Sequence, residues 1–299
     1  MLKGLALTPP VIGRISIGRV VERNGKRLPE KDDEFTITSQ VQHKDGWINH
    51  PLDDALRADA GSKLRTIPIK LLFDDPDLNM RANYTLFNRQ TGRPACVGNG
   101  ETCRRVTATG IQTFECQTPD ACELAQGKDC KPYGRLNVRI GDDDELGTFI
   151  LRTTGFNTIR TLLARMKYLH ALSGGLLASL PLELRLRGKS TAQSHRAPIY
   201  YVDLTLRAGT KLREAVDQAR TERAALEADG IDQTALDDAA RQGFALGAFE
   251  EGEEDGLAVI EEHFPEEQHV NVRKSAPPKQ GLSAKMEAKA NSVAMAEGG

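Results

Sequence analysis

Cys96-Val-Gly-Asn-Gly-Glu-Thr-Cys103, Cys116-Gln-Thr-Pro-Asp-Ala-Cys122 and Cys130-Lys-Pro132 hold all five cysteines of the chain. The span 96–132 is rich in turn formers and poor in apolar residues, so it cannot bury a core of its own. Thiolates gathered around one cation supply the missing cohesion, because the metal-binding energy of such a segment is also its folding energy. Disulfides are the rival reading. The odd count argues against a closed set of bridges. The first residues also show no apolar run with a small-residue cleavage site of the kind that sends a chain to an oxidising compartment. Unligated reduced thiols are the third reading. The expectation is a structural Zn2+ in a reducing, cytoplasmic setting.

Five thiols exceed what one tetrahedral ion takes. Gly98 and Gly100 beside Cys96 let backbone amides turn toward a thiolate. Cys116 precedes the turn signal Thr-Pro-Asp, with Cys122 just beyond it. Cys130 stands before Lys-Pro, where the chain stays extended. Cys103, in Glu-Thr-Cys-Arg-Arg, has no turn chemistry of its own. Cys96, Cys116, Cys122 and Cys130 are therefore the candidate ligands, with Cys103 as the spare and alternative ligand. The spacing matches no common two-knuckle pattern, and it leaves iron–sulfur ligation open.

Outward from this segment, the patterning predicts an α+β fold. Its parts are antiparallel sheets and hairpins with one main packed helix, a Cys-rich metal-binding insertion, and a C-terminal part that passes from helical to disordered. Upstream, Val11–Ser39 reads as a hairpin turned at Asn24-Gly25, with Lys26–Lys31 as a solvated loop before the alternating Glu34–Thr38. Pro51 opens a short helix, and Leu64–Phe73 reads as a strand that Pro68 confines to a sheet edge. Asp74-Asp75-Pro76-Asp77 is a turn, and Tyr84–Asn88 leads into the cysteines.

Downstream, Arg135–Ile140 and Leu146–Thr153 form a second hairpin. Ile159, Leu162, Leu163, Met166 and Leu169 recur at helical spacing between an Asn157 cap and Gly174-Gly175. Pro181–Arg187 and Ile199–Arg207 pair as strands around a basic loop. Residues 1–208 then make the core, with the Cys-rich segment at 96–132. Residues 209–248 are a charged helical extension whose seam Arg223 interrupts, and 249–299 a disordered tail.

Charge narrows the function classes. The formal net charge is −2, so no global basic field holds nucleic acid. A local contact face for DNA or a partner falls on Arg104, Arg105, Lys128, Lys131 and Arg135. No apolar run approaches membrane-spanning length. The chain shows no nucleophile elbow, and Gly188-Lys189-Ser190 has no glycine where a phosphate-binding loop needs one. A metal-dependent hydrolase would need a His/Asp ligand set that the sequence does not gather. Neither an enzyme nor a small-molecule substrate is expected.

Two stretches carry a resemblance. Gly13-Arg-Ile-Ser-Ile-Gly18 with Asn24–Lys31 and Phe35–Ser39 is one; Cys130-Lys-Pro132 running into Arg135-Leu-Asn-Val138 is the other. In this order they resemble the recombination directionality factors found beside large serine integrases of phages and integrative elements. The likeness covers about the first 210 residues, and the part after Ala208 has no counterpart in it. The resemblance implies a non-enzymatic protein of a mobile element that binds the integrase on DNA and switches it toward excision. It implies a structural metal at the cysteines and no catalytic residues. The alternative is a zinc-containing nucleic-acid-binding accessory in replication, recombination or repair of the element.

Overall fold

Leu136, Val138 and Ile140 are buried while Arg135, Asn137 and Arg139 between them stay half-exposed, the period of two that a pleated strand imposes. That strand is the middle of the sheet. The computed structural model describes residues 10–23, 26–43, 46–59, 61–125, 130–142, 146–190, 198–244 and 253–264. In chain order the strands are β1 (Val11–Arg23), β2 (Lys26–His43), β3 (Gly46–Asn49), β4 (Thr66–Lys70), β5 (Met80–Phe87), β6 (Pro94–Gly98), β7 (Thr102–Thr107), β8 (Gly110–Glu115), β9 (Cys130–Ile140), β10 (Thr148–Thr153), β11 (Leu182–Ser190) and β12 (Pro198–Leu206). The helices are α1 (Pro51–Ala55), α2 (Pro76–Asn79), α3 (Thr118–Ala121), α4 (Phe156–Ser173), α5 (Leu212–Ala228), α6 (Gln233–Phe244) and α7 (Glu253–His263).

The strands run β3-β2-β1-β10-β9-β5-β6-β7-β8, and β4, β11 and β12 branch from the far end of β9. The fold is α+β, with mostly antiparallel pairing. Both expected hairpins are present as β1–β2 and β9–β10. They are fused by the parallel pairing of β1 with β10, Ile15 beside Leu151. One face of this sheet carries Ile15, Phe35, Ile37, Leu136, Phe149 and Leu151. They share a core with Leu162 and Met166 of α4 and with Leu184 and Leu204 of the β11–β12 pair.

Several expectations are corrected. Lys26–Lys31 is not a loop: β2 begins at Lys26, opposite Arg23, so the first hairpin is longer than its apolar residues indicate. The Asn24-Gly25 turn lies outside the described residues. Pro68 does not mark an edge, because β4 lies between β11 and β9. Its carbonyl accepts from Gly141 N at 2.9 Å. The missing N–H therefore faces Gly141, just past the end of β9, where little pairing is lost. Helix α4 is preceded by Gly155 as N-cap rather than by Asn157, whose Oδ1 accepts from Lys189 Nζ at 2.8 Å. Gly174 closes the helix in the left-handed region at φ 71°, as expected.

The largest correction concerns the C-terminal third. Packed structure does not end near Ala208. Ala215 and Ala219 of α5 are fully buried in the main core. Arg223, which breaks the apolar seam in the sequence, donates to Asp74 Oδ2 at 2.7 Å. Lys70, itself buried, reaches Glu222 Oε2 at 2.5 Å and the Ser179 carbonyl at 3.0 Å. Asp237 of α6 accepts from the backbone of Asp75 at 3.0 Å, at the start of α2. A sequence of small and charged residues reads as solvated because its partners are charges and backbone groups far away in the chain. Helix α7 lies in the stretch assigned to the tail, with Val259, Ile260 and Phe264 buried. Residues 265–299 lie outside the described residues. Among the described residues no helix is long and apolar enough to cross a membrane.

Burial of α5 is open to a direct test. Ala219→Asp should cost about 3 kcal/mol in a urea melt, because it puts a carboxylate into the apolar core. Glu227→Ala, exposed on the same helix, should stay within about 0.5 kcal/mol of the parent. An unchanged midpoint for Ala219→Asp would return α5 to solvent.

Candidate functional site

Register brings the cysteines together. Leu86 on β5 stands opposite Cys130 on β9 and opposite Cys96 on β6, and Cys96 stands opposite Arg105 on β7. One row across the sheet thus reads Cys130, Leu86, Cys96, Arg105. Two residues along, the next row reads Tyr84, Gly98, Cys103, Phe114. Cross-strand partners share a face, and alternate residues of a strand return to it. Cys96, Cys103, Cys130 and Arg105 therefore project from one side of the sheet.

The remaining two cysteines arrive from the segment that leaves β8. The Cys116 N–H donates to the Glu101 carbonyl at 2.8 Å, and Cys122 ends α3. Thr118 turns the chain between them with φ 64°, a costly conformation for a β-branched residue. All five cysteines line one cavity of about 650 Å3, with Tyr84, Arg105 and Phe114 also in its walls. Gly98 lies beneath it. A Cβ there would fall 2.8 Å from both Cys103 Cβ and Cys116 Sγ. This close approach, rather than the turning of amides, is what the glycine permits.

The thiols restrain one another's ionisation. Burial, reinforced by the surrounding Cys96, Cys116, Cys122 and Cys103, pushes the Cys130 thiol up to about 12. Burial, the Cys96 hydrogen bond and the nearby Cys96 and Cys116 push Cys103 up to about 11, against a lowering from Arg105. The Arg105 guanidinium, hydrogen-bonded to Cys96, is itself held above its usual range. Its carbon lies 4.9 Å from the Phe114 ring centre. A cluster of this kind gains from a compact cation, since thiolates that repel in its absence become ligands in its presence. Among the described residues, no three Cys, His, Asp or Glu side chains already stand close enough together to hold an ion. The donor set fits a soft or borderline metal in chemistry; its side chains would have to close on it.

Cys103 differs from the others. It is almost wholly buried, and its Sγ donates to the Glu115 carbonyl at 3.6 Å. His50 accepts from Leu52 N at the start of α1 and sits edge-on to Phe149, while His43 is exposed. Asp74 and Asp75 are engaged by Arg223 and Arg241.

The five basic residues do not form one patch. Arg105 faces the thiols. Arg104 and Lys131 lie on the opposite face, in the row Lys131, Thr85, Val97, Arg104, and Arg135 is on that face by alternation along β9. Lys128 lies outside the described residues. The inward place of Arg105 was legible in Thr102-Cys-Arg-Arg: if Cys103 points into the site, strand alternation sends Arg105 with it and Arg104 away. Tyr84 and Phe114 left no such signal.

Gly98→Ala tests the close packing beneath the cavity. It should lower thermal stability by about 1–3 kcal/mol through overpacking. Thr113→Ala, exposed on β8, should be nearly silent, and equal effects would mean that Cys103 and Cys116 are not held against Gly98.

Comparison with known proteins returns one result that covers most of this architecture. The family model described as Gp3-like, recombination directionality factor-like, matches residues 12–207. The match runs from β1 to the residue after β12 and includes the whole cysteine cavity. No curated protein and no solved structure matches the chain. A match over so much of the chain makes the conclusion plain: this protein belongs to the Gp3-like, recombination directionality factor-like family.

Proposed function

We propose that the chain is a non-enzymatic regulator of site-specific recombination that binds the integrase of a mobile element on its DNA and turns it from integration toward excision. The observation that carries this reading is family membership over residues 12–207. The charge supports it. With a formal net charge of −2, free DNA offers little counterion release, so direct DNA contact is weak and selectivity comes through the protein partner. We place the protein in the cytoplasm, where reduced thiols persist. The partner is taken to be a serine integrase, as in the resemblance.

The same proposal assigns a structural Zn2+ to Cys96, Cys116, Cys122 and Cys130. Support comes from the gathering of every thiol on one cavity and from the raised Cys130 thiol, which a cation would relieve. Cys103 is left out because its thiol has a carbonyl partner. The metal's part would be to tie the β5–β9 ladder to the β6–β8 arm.

Protein purified without added metal should carry about one zinc per chain. Cys122→Ser and Cys130→Ser should lose it, and Cys103→Ser should keep it. Binding should tighten as pH rises, because ligation must displace the proton that the Cys130 environment holds on. Iron–sulfur absorbance, or metal retained by Cys130→Ser, overturns the assignment.

For function, the measurements are retention of an integrase–DNA complex in a gel and excision against integration in a two-site reaction. This protein should supershift the complex and favour excision without shifting free duplex at physiological salt. Tight sequence-specific binding by the isolated chain, with no effect on the element's integrase, would instead support an accessory role in DNA metabolism.

A further inference from the structure

Helix α7 rests on a face that belongs to the family domain, yet the helix itself lies beyond the matched residues. The face is the side of the sheet opposite the main core. Arg14 on β1 stands opposite Ile150, and Arg152, two residues on, stands opposite Arg135. Alternation thus sets Arg14, Arg152 and Arg135 together on it, with Tyr133 between Arg135 and Lys131 on β9. Three features fix α7 there. Val259, Ile260 and Phe264 bury themselves with Phe87 and Tyr133 in a cluster separate from the main core. The Glu262 carboxylate pairs with Arg14, which is 4% exposed, and accepts from Ser16 Oγ at 3.5 Å. Gly256 seats the helix on the turn between β5 and β6, where a Cβ would fall 1.7 Å from the Gly92 carbonyl oxygen.

The chemistry of this contact is that of a ligand in a groove. A mid-helix glycine weakens a helix, and here it permits one close seat. The family domain contributes two aromatic rings and a buried arginine; α7 contributes apolar anchors and an acid. Remove α7, and Phe87 and Tyr133 stand exposed beside a cluster of arginines. Arg14 also stacks on Trp47, 4.0 Å from the ring centre, which holds its guanidinium in place whether or not Glu262 is present. Its Nη1 has no hydrogen-bond partner among the described residues, so the site offers an acidic partner more than Glu262 takes up.

We propose that this face is a docking groove for an acidic amphipathic helix of another protein, and that α7 fills it in cis as an intramolecular competitor. Nucleic acid is the other class of partner that the arginines would suit, and bases stack on such rings, but the occupant seen here is an acidic helix whose Val259, Ile260 and Phe264 fill the Phe87–Tyr133 pair. The proposal stands apart from the identity of the integrase and from the metal.

The test uses the full chain carrying Val259→Asp and Ile260→Asp, which should release α7, and a fluorescent peptide of residues 253–264 as probe. The peptide should bind the released chain at least about tenfold more tightly than the parent, whose groove is occupied by its own helix. Arg14→Glu in the released chain should abolish binding, and a peptide with Glu262→Arg should restore it. Circular dichroism should show the same cooperative melt in parent and released chain, shifted by a few degrees at most. Equal affinity for both chains, or no binding to a folded released chain, overturns the proposal. So does loss of the cooperative melt, which would make α7 part of the core, and so does a released chain that takes up duplex DNA in preference to the peptide.

Discussion

The two-sided pairing of β9 is the constraint on which the rest of the structure depends. Its backbone bonds to β10 along one edge and to β5 along the other, and its last residues reach β4. A strand paired on both edges leaves few backbone groups unsatisfied, and its register fixes every neighbour's register. Slipping it by one residue would turn Leu136 and Val138 toward the α7 face and expel Cys130 from the cavity. The core, the cysteine site and the α7 face are thus consequences of one alignment.

That alignment gives the sheet two faces with different chemistry. On the main-core side, Leu136, Met80 and Leu151 meet α4 in an ordinary apolar core. Farther along the same side of the sheet, Cys96, Cys103 and Cys130 meet the segment that carries Cys116, α3 and Cys122 instead of α4. An arm of short strands with a fully exposed edge strand β8 has little apolar area to hold it. Hydrophobic burial therefore contributes little to this arm, and all five thiols line one cavity at its base.

The opposite face carries charge beside a few apolar residues, Ile150, Val97 and the small Phe87–Tyr133 cluster. Buried charge is tolerated only with a partner, which Arg14 finds in Glu262 and Trp47. For Glu262, burial would raise the carboxyl, but His263, Arg14 and Arg152 outweigh it and hold the carboxyl below its usual range. The C-terminal helices repeat this device. Lys70 with Glu222, Asp74 with Arg223 and the Asp75 backbone with Asp237 each join a charged helix to a site more than a hundred residues away in the chain. These are the contacts that turn a low-hydropathy segment into packed structure.

Much of this was legible in the sequence wherever the deciding interaction is local. Period-two alternation in Arg135–Ile140, helical spacing in Ile159–Leu169 and the glycine stop at Gly174 each report local geometry or a side chain's own burial, and the α+β class follows from them. In Leu182–Arg187 the alternation marks the strand, though Glu183 is buried with the leucines. The confinement of five thiols to 96–132 pointed to their common site, and the quoted stretches to the family. What the sequence could not show is set by partners distant in the chain. Pro68 is tolerated inside the sheet because its missing N–H faces the end of β9. Arg105 belongs to the thiols because β7 pairs with β6 in one register. Helices α5, α6 and α7 are packed because Asp74, Lys70, the Asp75 backbone and Arg14 wait for them elsewhere. Local pattern records how much apolar surface a segment carries; only the tertiary structure decides which distant charge or backbone group makes a polar segment bury itself.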